Sequence, residues 1–428
     1  MSISFETDIN HAIQLDRNDP LKEFRKRFYI ENDDTIYADG NSLGRLPVKT
    51  KELVQEVTEK QWGAKLIESW NRHWYEKSGM LGDKIAQIIG ASEGEVIVTD
   101  STSVNLYKLA HAAIKFQKDK TRIVSDAFNF PTDLYILQGL VKEAGPAHEL
   151  ALADSKDGIT IDMNDLKEKI NEDTSLVVLS MVSFKSSFLY NAKEITAFAH
   201  KKGALVLWDL SHAAGAVPVE LNKINADLAV GCTYKFLNGG PGSPAYLYVR
   251  KDLQEMLSSP IQGWFGDDRP FEFNLRYRPA KGIRKFLTGT PPVISQMAIE
   301  PGLDIMIEAG MENIHNKSRQ QSEYFIFLVQ NTLLEIGFQL GSPLDPSKRG
   351  SHVSLKHPEA YRICQALINP PESKQRIIPD FREPDNIRIG ITPLYSTYQE
   401  LWQIVQQLKE VVLTKEFLVF PKERNTVT

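Results

Sequence analysis

Cysteine is scarce in this chain of 428 residues, which contains Cys232 and Cys364 and no other. Two such distant cysteines offer neither the ligand spacing of a metal site nor the framework of a disulfide-stabilised fold. Few cysteines are typical of proteins from a reducing compartment, where thiols stay reduced. We therefore expect a cytoplasmic protein without a metal site or disulfides.

Long apolar runs and an excess of positive charge are missing as well. No stretch approaches the roughly 18 apolar residues of a membrane-spanning helix. The start, MSISFETDINHAIQL, lacks the basic and apolar segments of a signal peptide. The net charge is −5, whereas nucleic acids and anionic lipids bind clustered positive charge. These absences predict a soluble protein that binds neither nucleic acid nor membranes, and they leave room for a local pocket that binds one small anion.

What the chain does contain is an alternation of short β-rich runs and helical patterns. The apolar runs of strand length are Glu95–Asp100, Thr121–Asp126, Ser175–Phe184, Ala204–Leu210, Ala226–Phe236 and Pro244–Arg250. Between two of them, Asn191 and Glu194 predict the start of a helix and Gly203 its end. Such alternation predicts an α/β fold, with a mostly parallel sheet covered by helices.

The length of the chain exceeds one ordinary hydrophobic core, so more than one domain is expected. From about Pro301 the pattern changes to long helical stretches followed by a loop-rich α+β segment. We predict a large domain over residues 50–300 and a smaller domain over residues 301–428. Residues 1–49 are predicted to form an arm that joins the small domain or crosses to a partner subunit.

Polar side chains and one aromatic side chain follow several predicted strands, at the edge where α/β sheets bind ligands. They are Thr102, Ser103, Phe130, Asp133, Asp209, His212, Tyr234 and Lys235. Each has an ordinary structural interpretation, such as a helix cap, a proline-containing turn, a buried histidine or a solvated lysine. Together they match a pyridoxal phosphate site, in which a lysine forms a Schiff base and an aspartate keeps the pyridine nitrogen protonated.

Longer motifs resemble the class V aminotransferase group of fold-type I pyridoxal phosphate enzymes and, within it, the kynureninase family. They keep that family's order and span nearly the whole chain. The motifs are YADGNSLG (Tyr37–Gly44), VTDSTSVNLYK (Val98–Lys108), FNFPTD (Phe128–Asp133), WDLSHAAGA (Trp208–Ala216), TYKFLNGGPG (Thr233–Gly242), GWFGD (Gly263–Asp267), TGTPP (Thr288–Pro292) and IRIGITPLY (Ile387–Tyr395).

The resemblance implies roles for the matching residues around the cofactor. Lys235 would hold pyridoxal phosphate and shuttle protons, and Tyr234 would contact the phosphate and act as an acid. Asp209 and Asp133 would lie near the pyridine nitrogen, with Phe130 stacked on the ring. The other implied cofactor contacts are Thr102, Ser103, Pro131, Thr132, Ser180, His212, Trp264 and Thr290. Trp264 and Thr290 would come from the second subunit of a homodimer.

The resemblance also implies a substrate and a reaction. Arg388 would bind the substrate α-carboxylate, since a guanidinium fork suits two-point contact, and Asn41 and Ser42 would line the substrate side. A solvated arginine on an edge strand is the structural alternative for Arg388. The implied reaction is hydrolysis of L-kynurenine, or its 3-hydroxy form, to L-alanine and an anthranilate in tryptophan degradation and NAD precursor synthesis. Candidates for the residues that recognise the aryl ring of the substrate lie in Glu68–Glu76.

Two departures from the family pattern stand out. Ser187 replaces a glycine in the segment KSSF, and Thr290 stands where some members have asparagine. Either change would alter loop shape or the aryl pocket rather than the chemistry at Lys235 and Asp209.

Two other functions fit part of the sequence. A cysteine desulfurase needs a cysteine on a mobile loop of the second domain, but Cys364 lies in the helical apolar pattern YRICQALI and is expected to be buried. A non-catalytic protein of the same fold would not be expected to keep Lys235, Asp209, Tyr234 and Arg388 together.

Overall fold

A computed structural model of the chain describes residues 5–31 and 34–423. Residues 1–4 and residues 32 and 33 of the predicted N-terminal arm lie outside the described residues, as do residues 424–428 of the predicted small domain. The helices are α1 (Ile9–Arg17), α2 (Val48–Glu56), α3 (Lys77–Ile89), α4 (Thr102–Phe116), α5 (Pro131–Ala144), α6 (Met163–Lys169), α7 (Ala192–Lys201), α8 (Val293–Met297), α9 (Glu300–Ala309), α10 (Met311–Thr332), α11 (Ala360–Ile368) and α12 (Tyr398–Leu413). The strands are β1 (Thr35–Tyr37), β2 (Val96–Val98), β3 (Arg122–Asp126), β4 (Glu149–Ala153), β5 (Thr174–Ser180), β6 (Leu205–Asp209), β7 (Leu228–Gly231), β8 (Tyr246–Val249), β9 (Gln339–Leu340), β10 (His352–Lys356), β11 (Arg376–Ile378), β12 (Asp380–Arg382) and β13 (Asn386–Gly390).

A sheet of seven strands forms the centre of the larger part, in the order β2-β8-β7-β6-β5-β3-β4. Its strands run parallel except β8, which is antiparallel to both neighbours. The inner strands are buried on both faces, which explains their continuous apolar runs. The predicted α/β fold with a mostly parallel sheet is therefore confirmed.

The carboxyl ends of the central strands meet at one edge of this sheet. Ser180, the last residue of β5, pairs with Asp209, the last residue of β6, which in turn pairs with Val230 of β7. The sequence predicted a longer strand, to Phe184, but β5 ends at Ser180, and the chain then folds back so that the Ser183 amide donates to the Phe188 carbonyl. The register thus places side chains from several loops around one point.

Helix α7 shows how local signals set the elements between the strands. The Asn191 side chain accepts a hydrogen bond from the Glu194 amide at 3.3 Å, and Gly203 follows the helix with a φ of 70°. Both features agree with the predicted start and end of this helix.

The C-terminal part holds an antiparallel sheet in the order β12-β13-β10-β9, packed with α10, α11 and α12. The N-terminal segment belongs to the same core, since Ala12, Ile36 and Ala38 are buried there, and β1 pairs in parallel with β11. The exact domain limits remain a prediction. Among the residues described, no helix has the length and apolar character needed to cross a bilayer.

Candidate active site

A cavity of about 100 Å³ lies at the carboxyl edge of the seven-stranded sheet. Its lining consists of Thr102, Ser103, Phe130, Thr132, Asp133, Ser180, Phe184, Asp209, Ser211, His212, Tyr234 and Lys235. Phe184 also lines a neighbouring cavity of about 760 Å³, and Tyr234 lines another of about 450 Å³. The fold therefore gathers most of the residues that the sequence assigned to one cofactor site.

The N-terminus of α4 forms one wall of this cavity. Ser101 caps the helix by accepting a hydrogen bond from the Val104 amide at 3.4 Å. Thr102 and Ser103 form the start of the first turn, where backbone N–H groups lack partners within the helix. Because Ser101 makes the capping bond, the hydroxyls of Thr102 and Ser103 are available for an anion such as a phosphate.

Lys235 is half-buried in the loop after β7, and its amine meets a histidine. Lys235 Nζ lies 2.9 Å from His212 Nε2 and 6.0 Å from the centre of the Phe130 ring. Burial, and then the charge of Lys235, lower the pKa of His212 well below its usual value. The imidazole is therefore neutral and accepts a hydrogen bond from the lysine.

Two carboxyl groups, Asp209 and Asp133, share the floor of the cavity. Asp209 accepts hydrogen bonds from the Ser211 amide and hydroxyl, at 2.9 and 2.6 Å, and from the Ser180 hydroxyl at 3.3 Å. Asp133, in the first turn of α5, is 3% exposed, and its Oδ2 has no partner.

Burial, and then the charge of Asp209, raise the pKa of Asp133 well above its usual value. A buried carboxyl oxygen without a partner is costly, and a donor or cation between the two groups would relieve that cost. A protonated ring nitrogen has this chemistry, so the residues present fit a pyridine-type cofactor.

Tyr234 completes the wall beside Lys235. The charge of Cys232 and then burial raise the pKa of Tyr234, so its phenol stays protonated near neutral pH. The Tyr234 carbonyl accepts a hydrogen bond from the Gly44 amide at 2.8 Å. This contact brings the YADGNSLG segment to the edge of the cavity, and a Cβ at Gly44 would lie 2.3 Å from the Lys235 carbonyl oxygen.

Arg388 lies in β13 and is 1% exposed. Its Nε donates to Asp380 Oδ2 at 2.5 Å, and its Nη2 donates to the same oxygen and to the Ser42 hydroxyl at 3.0 Å. Its Nη1 donates to the Phe184 carbonyl. The alternative of a solvated edge arginine is wrong, because β13 lies between β12 and β10.

Asn41 lies close to β13 as well. Its side chain is fully buried, and neither its Nδ2 nor its Oδ1 has a partner. A Cβ at Gly390 would approach Asn41 Oδ1 to 2.0 Å. The structure therefore places both predicted substrate-side residues, Asn41 and Ser42, beside the strand that carries Arg388.

The structure does not bring every predicted residue into the cavity. Trp264 is 40% exposed and packs edge-on against Phe265 and Phe271. Thr290 lines the neighbouring cavity of about 450 Å³, and Pro131 lines the one of about 760 Å³. Within one chain, Trp264 and Thr290 are therefore separate from Lys235.

The segment Glu68–Glu76 does not line the cavities on either side of Phe184. The Trp74 indole is 8% exposed and donates a hydrogen bond to Gln61 at 2.8 Å, and Trp70 packs on Phe265. In this chain the two tryptophans are packing residues.

Two residues near the cavity were missed by the sequence analysis. His352 of β10 is fully buried, and its ring centre lies 5.6 Å from that of His212. Phe184 packs edge-on against Phe130 at 5.2 Å. His352 reaches the site through the packing of the C-terminal part on the large sheet, whereas Phe184 lies in the loop that follows β5.

Cys364 lies in α11 and is fully buried, as the sequence predicted. Burial raises the pKa of its thiol well above the usual value. A protonated thiol in a helix cannot serve as a mobile nucleophile, which argues against desulfurase chemistry.

Comparisons with known proteins show the family to which the chain is similar. The family profile for aminotransferase class V matches residues 68–357, and that for the kynureninase C-terminal domain matches residues 314–408. The chain is 42% identical to kynureninase of Pseudomonas fluorescens, covering 95% of this chain and 96% of that protein. It is 40% identical to kynureninase of Burkholderia pseudomallei, covering 94% and 95%. An apo cysteine desulfurase from Thermococcus onnurineus shares the fold, with a TM-score of 0.78, 20% identity, and coverage of 92% and 98%.

Proposed function

The chain belongs to the kynureninase family within class V aminotransferases, and from this premise we propose that it hydrolyses L-kynurenine to L-alanine and anthranilate. The 3-hydroxy form of kynurenine is a second substrate, giving 3-hydroxyanthranilate. The observation that carries the proposal is the similarity to kynureninases along nearly the whole chain. Its buried arginine and its lysine cavity supply the groups that an amino-acid substrate requires.

Pyridoxal phosphate is the cofactor of this family. When bound, it supplies an aldehyde that condenses with amines and a ring that stabilises negative charge on the substrate carbons. Thr102 and Ser103 would hold its phosphate, and Phe130 would cover one face of its ring. Asp209 and Asp133 would bind the ring nitrogen, and Lys235 would bind the aldehyde.

The remaining chemistry falls to side chains of the chain itself. Arg388 binds the α-carboxylate and thereby fixes which bond at Cα is set for cleavage. The Lys235 amine, next to the neutral His212, removes the Cα proton. Water adds to the γ-carbonyl, and the Cβ–Cγ bond breaks so that the aryl carboxylic acid leaves. Tyr234, which stays protonated, returns a proton to Cβ.

We further propose a homodimer in the cytoplasm, with Trp264 and Thr290 reaching the cofactor phosphate of the partner subunit. Exposed apolar side chains near these residues support an interface, since Trp62 is 57% and Phe273 is 74% exposed. Trp62 also lines an apolar cavity with Pro292. Sedimentation of the purified protein tests the dimer, and a monomer at micromolar concentration would contradict it.

The activity is tested with purified protein loaded with pyridoxal phosphate. Incubation with L-kynurenine should release L-alanine and anthranilate in equal amounts, as measured by chromatography. Incubation with L-cysteine, as the control for desulfurase chemistry, should release no sulfide. Sulfide without anthranilate would overturn the proposal.

A further inference from the structure

The charged groups around Arg388 form a cluster whose charges already balance. Arg388 and Asp380 are each 1% exposed and hydrogen-bond to each other. Arg382 lies 3.3 Å from the second oxygen of Asp380. Asp39, from the segment after β1, lines the same cavity as Asp380 and Arg382. Two arginines thus face two aspartates, and the cluster is neutral when all four are ionised.

Asp39 is the group in this cluster whose negative charge is least stabilised by its surroundings. Its Oδ1 is buried and has no hydrogen-bond partner. Burial, and then the charge of Asp380, raise the pKa of Asp39 to about 7, although Ser42 and Arg388 act in the opposite direction. Asp39 therefore changes its protonation state near neutral pH.

Other titratable and charged groups surround Asp39. Burial raises the pKa of three neighbours that face it: Tyr37, Cys364 and Tyr395. The cations and anions in the surrounding shell are Arg45, which stacks on two of these rings, and Lys185, Arg382, Glu383 and Asp380, which line the cavity. Burial lowers the pKa of Arg45 and the pKa of Lys185 from their usual values.

A substrate carboxylate at Arg388 adds one negative charge to this neutral cluster. A buried charge without compensation is strongly disfavoured. The arginines are already charged, and Asp380 is already paired with both Arg388 and Arg382. Protonation of Asp39 is therefore the change that restores neutrality.

We propose that Asp39 is a positioning residue that takes up one proton when the carboxylate of an amino acid binds at Arg388. The inference rests on the proposed function for the class of ligand, an α-amino acid. It assigns to the DGNSLG segment a part in binding beyond the contacts of Asn41 and Ser42.

The direction of the pH dependence follows from this linkage. Below about pH 7, Asp39 is already protonated, so binding needs no proton and the dissociation constant is flat. Above that pH, binding must be accompanied by proton uptake, and the dissociation constant rises by up to about tenfold per pH unit. Affinity is thus lost as the pH rises through the pKa of the free protein.

The test uses the enzyme loaded with pyridoxal phosphate and 4-(2-aminophenyl)-4-oxobutanoate, which is kynurenine without its α-amino group. Calorimetric titrations from about pH 6 to 9, in buffers of different ionisation enthalpy, give the affinity and the number of protons taken up. Wild-type protein should take up close to one proton per site at about pH 8 and bind about tenfold more weakly there than at about pH 6. Asp39→Asn should take up none and bind with a pH-independent affinity.

Asp34→Asn is the matched control, because Asp34 is an exposed carboxylate of the same segment. It should show the wild-type uptake. Uptake that is absent from the wild-type protein, or unchanged in Asp39→Asn, overturns the proposal, as does failure of the probe to bind at any pH. The wild-type measurement decides the matter even if the variant fails to fold.

Turnover of kynurenine in the same preparation separates this inference from the proposed function. Proton uptake without turnover would leave the inference intact and overturn the function. Turnover without uptake would do the reverse.

Discussion

The surroundings of Lys235 and of Arg388 adjoin at Phe184 but differ in how their principal charged groups are paired. Near Lys235, Asp133 Oδ2 and His212 Nδ1 are buried without partners. Near Arg388, the guanidinium group and Asp380 already satisfy each other. Unpartnered buried groups are stable when a bound group supplies their hydrogen bonds. The first region is therefore built to be completed by a cofactor, whereas the second must exchange an internal partner for its ligand.

The largest effect is expected when the amine of Lys235 is removed from the first region. Lys235→Ala should lower kynurenine turnover by a factor on the order of 10⁴, because no other group in the cavity can replace a reacting amine. Steady-state release of anthranilate measures the loss. Lys251→Ala, which removes an exposed lysine, serves as the control. Near-normal turnover by Lys235→Ala would show that the cavity is not the reaction site.

A smaller effect is expected when the guanidinium group of Arg388 in the second region is replaced by another group of the same charge. Arg388→Lys preserves a cation beside Asp380 yet cannot make the same two-point contact. The KM for kynurenine should rise roughly ten- to hundredfold, with a smaller change in kcat.

Arg382→Lys is the matched control for this change. The Arg382 side chain is 38% exposed and makes a longer contact with Asp380, so its KM should change by less than about fivefold. Equal effects of the two substitutions would mean that Arg388 has no special part in binding the carboxylate.

The smallest effect concerns the turn that links the two regions. Ser187 has a left-handed φ of 64°, and its buried hydroxyl has no partner. Ser187→Gly removes both penalties and should stabilise the protein by about 1 kcal/mol, since this conformation costs other residues roughly 1–2 kcal/mol. The midpoint of thermal unfolding should rise.

Ser186→Gly is the control in the same turn. Ser186 accepts a hydrogen bond from the Phe188 amide at 3.3 Å and is not in the left-handed region, so its replacement should lower the midpoint. A lower midpoint for Ser187→Gly as well would show that this φ value does not strain the turn.

Local chemistry explains which parts of the structure were predictable. The cap at Asn191, the strand that ends at Asp209 and the burial of Cys364 each depend on neighbours along the chain or on a clear apolar pattern. The grouping of Thr102, Asp209 and Lys235 followed from the rule that parallel strands end at one edge.

The parts that escaped prediction depend on contacts between distant segments. His352 reaches His212 only because the C-terminal sheet packs against the large one. The pairing of Arg388 with Asp380 across neighbouring strands required the register of β12 and β13. That register also explains why Arg388 is buried in a central strand rather than solvated at an edge.

The pairing of β1 with β11 has a consequence for the order in which the protein is assembled. Thr35 pairs with Arg376, so this contact closes a loop over most of the chain. Closing such a loop is entropically costly, and contacts of this range form late. During synthesis the segment that carries Asp39, Asn41 and Ser42 must wait for its partners until nearly all residues have been made. A chain that stalls before Arg376 would therefore possess the lysine of the site but no means of holding an amino acid's carboxylate beside it.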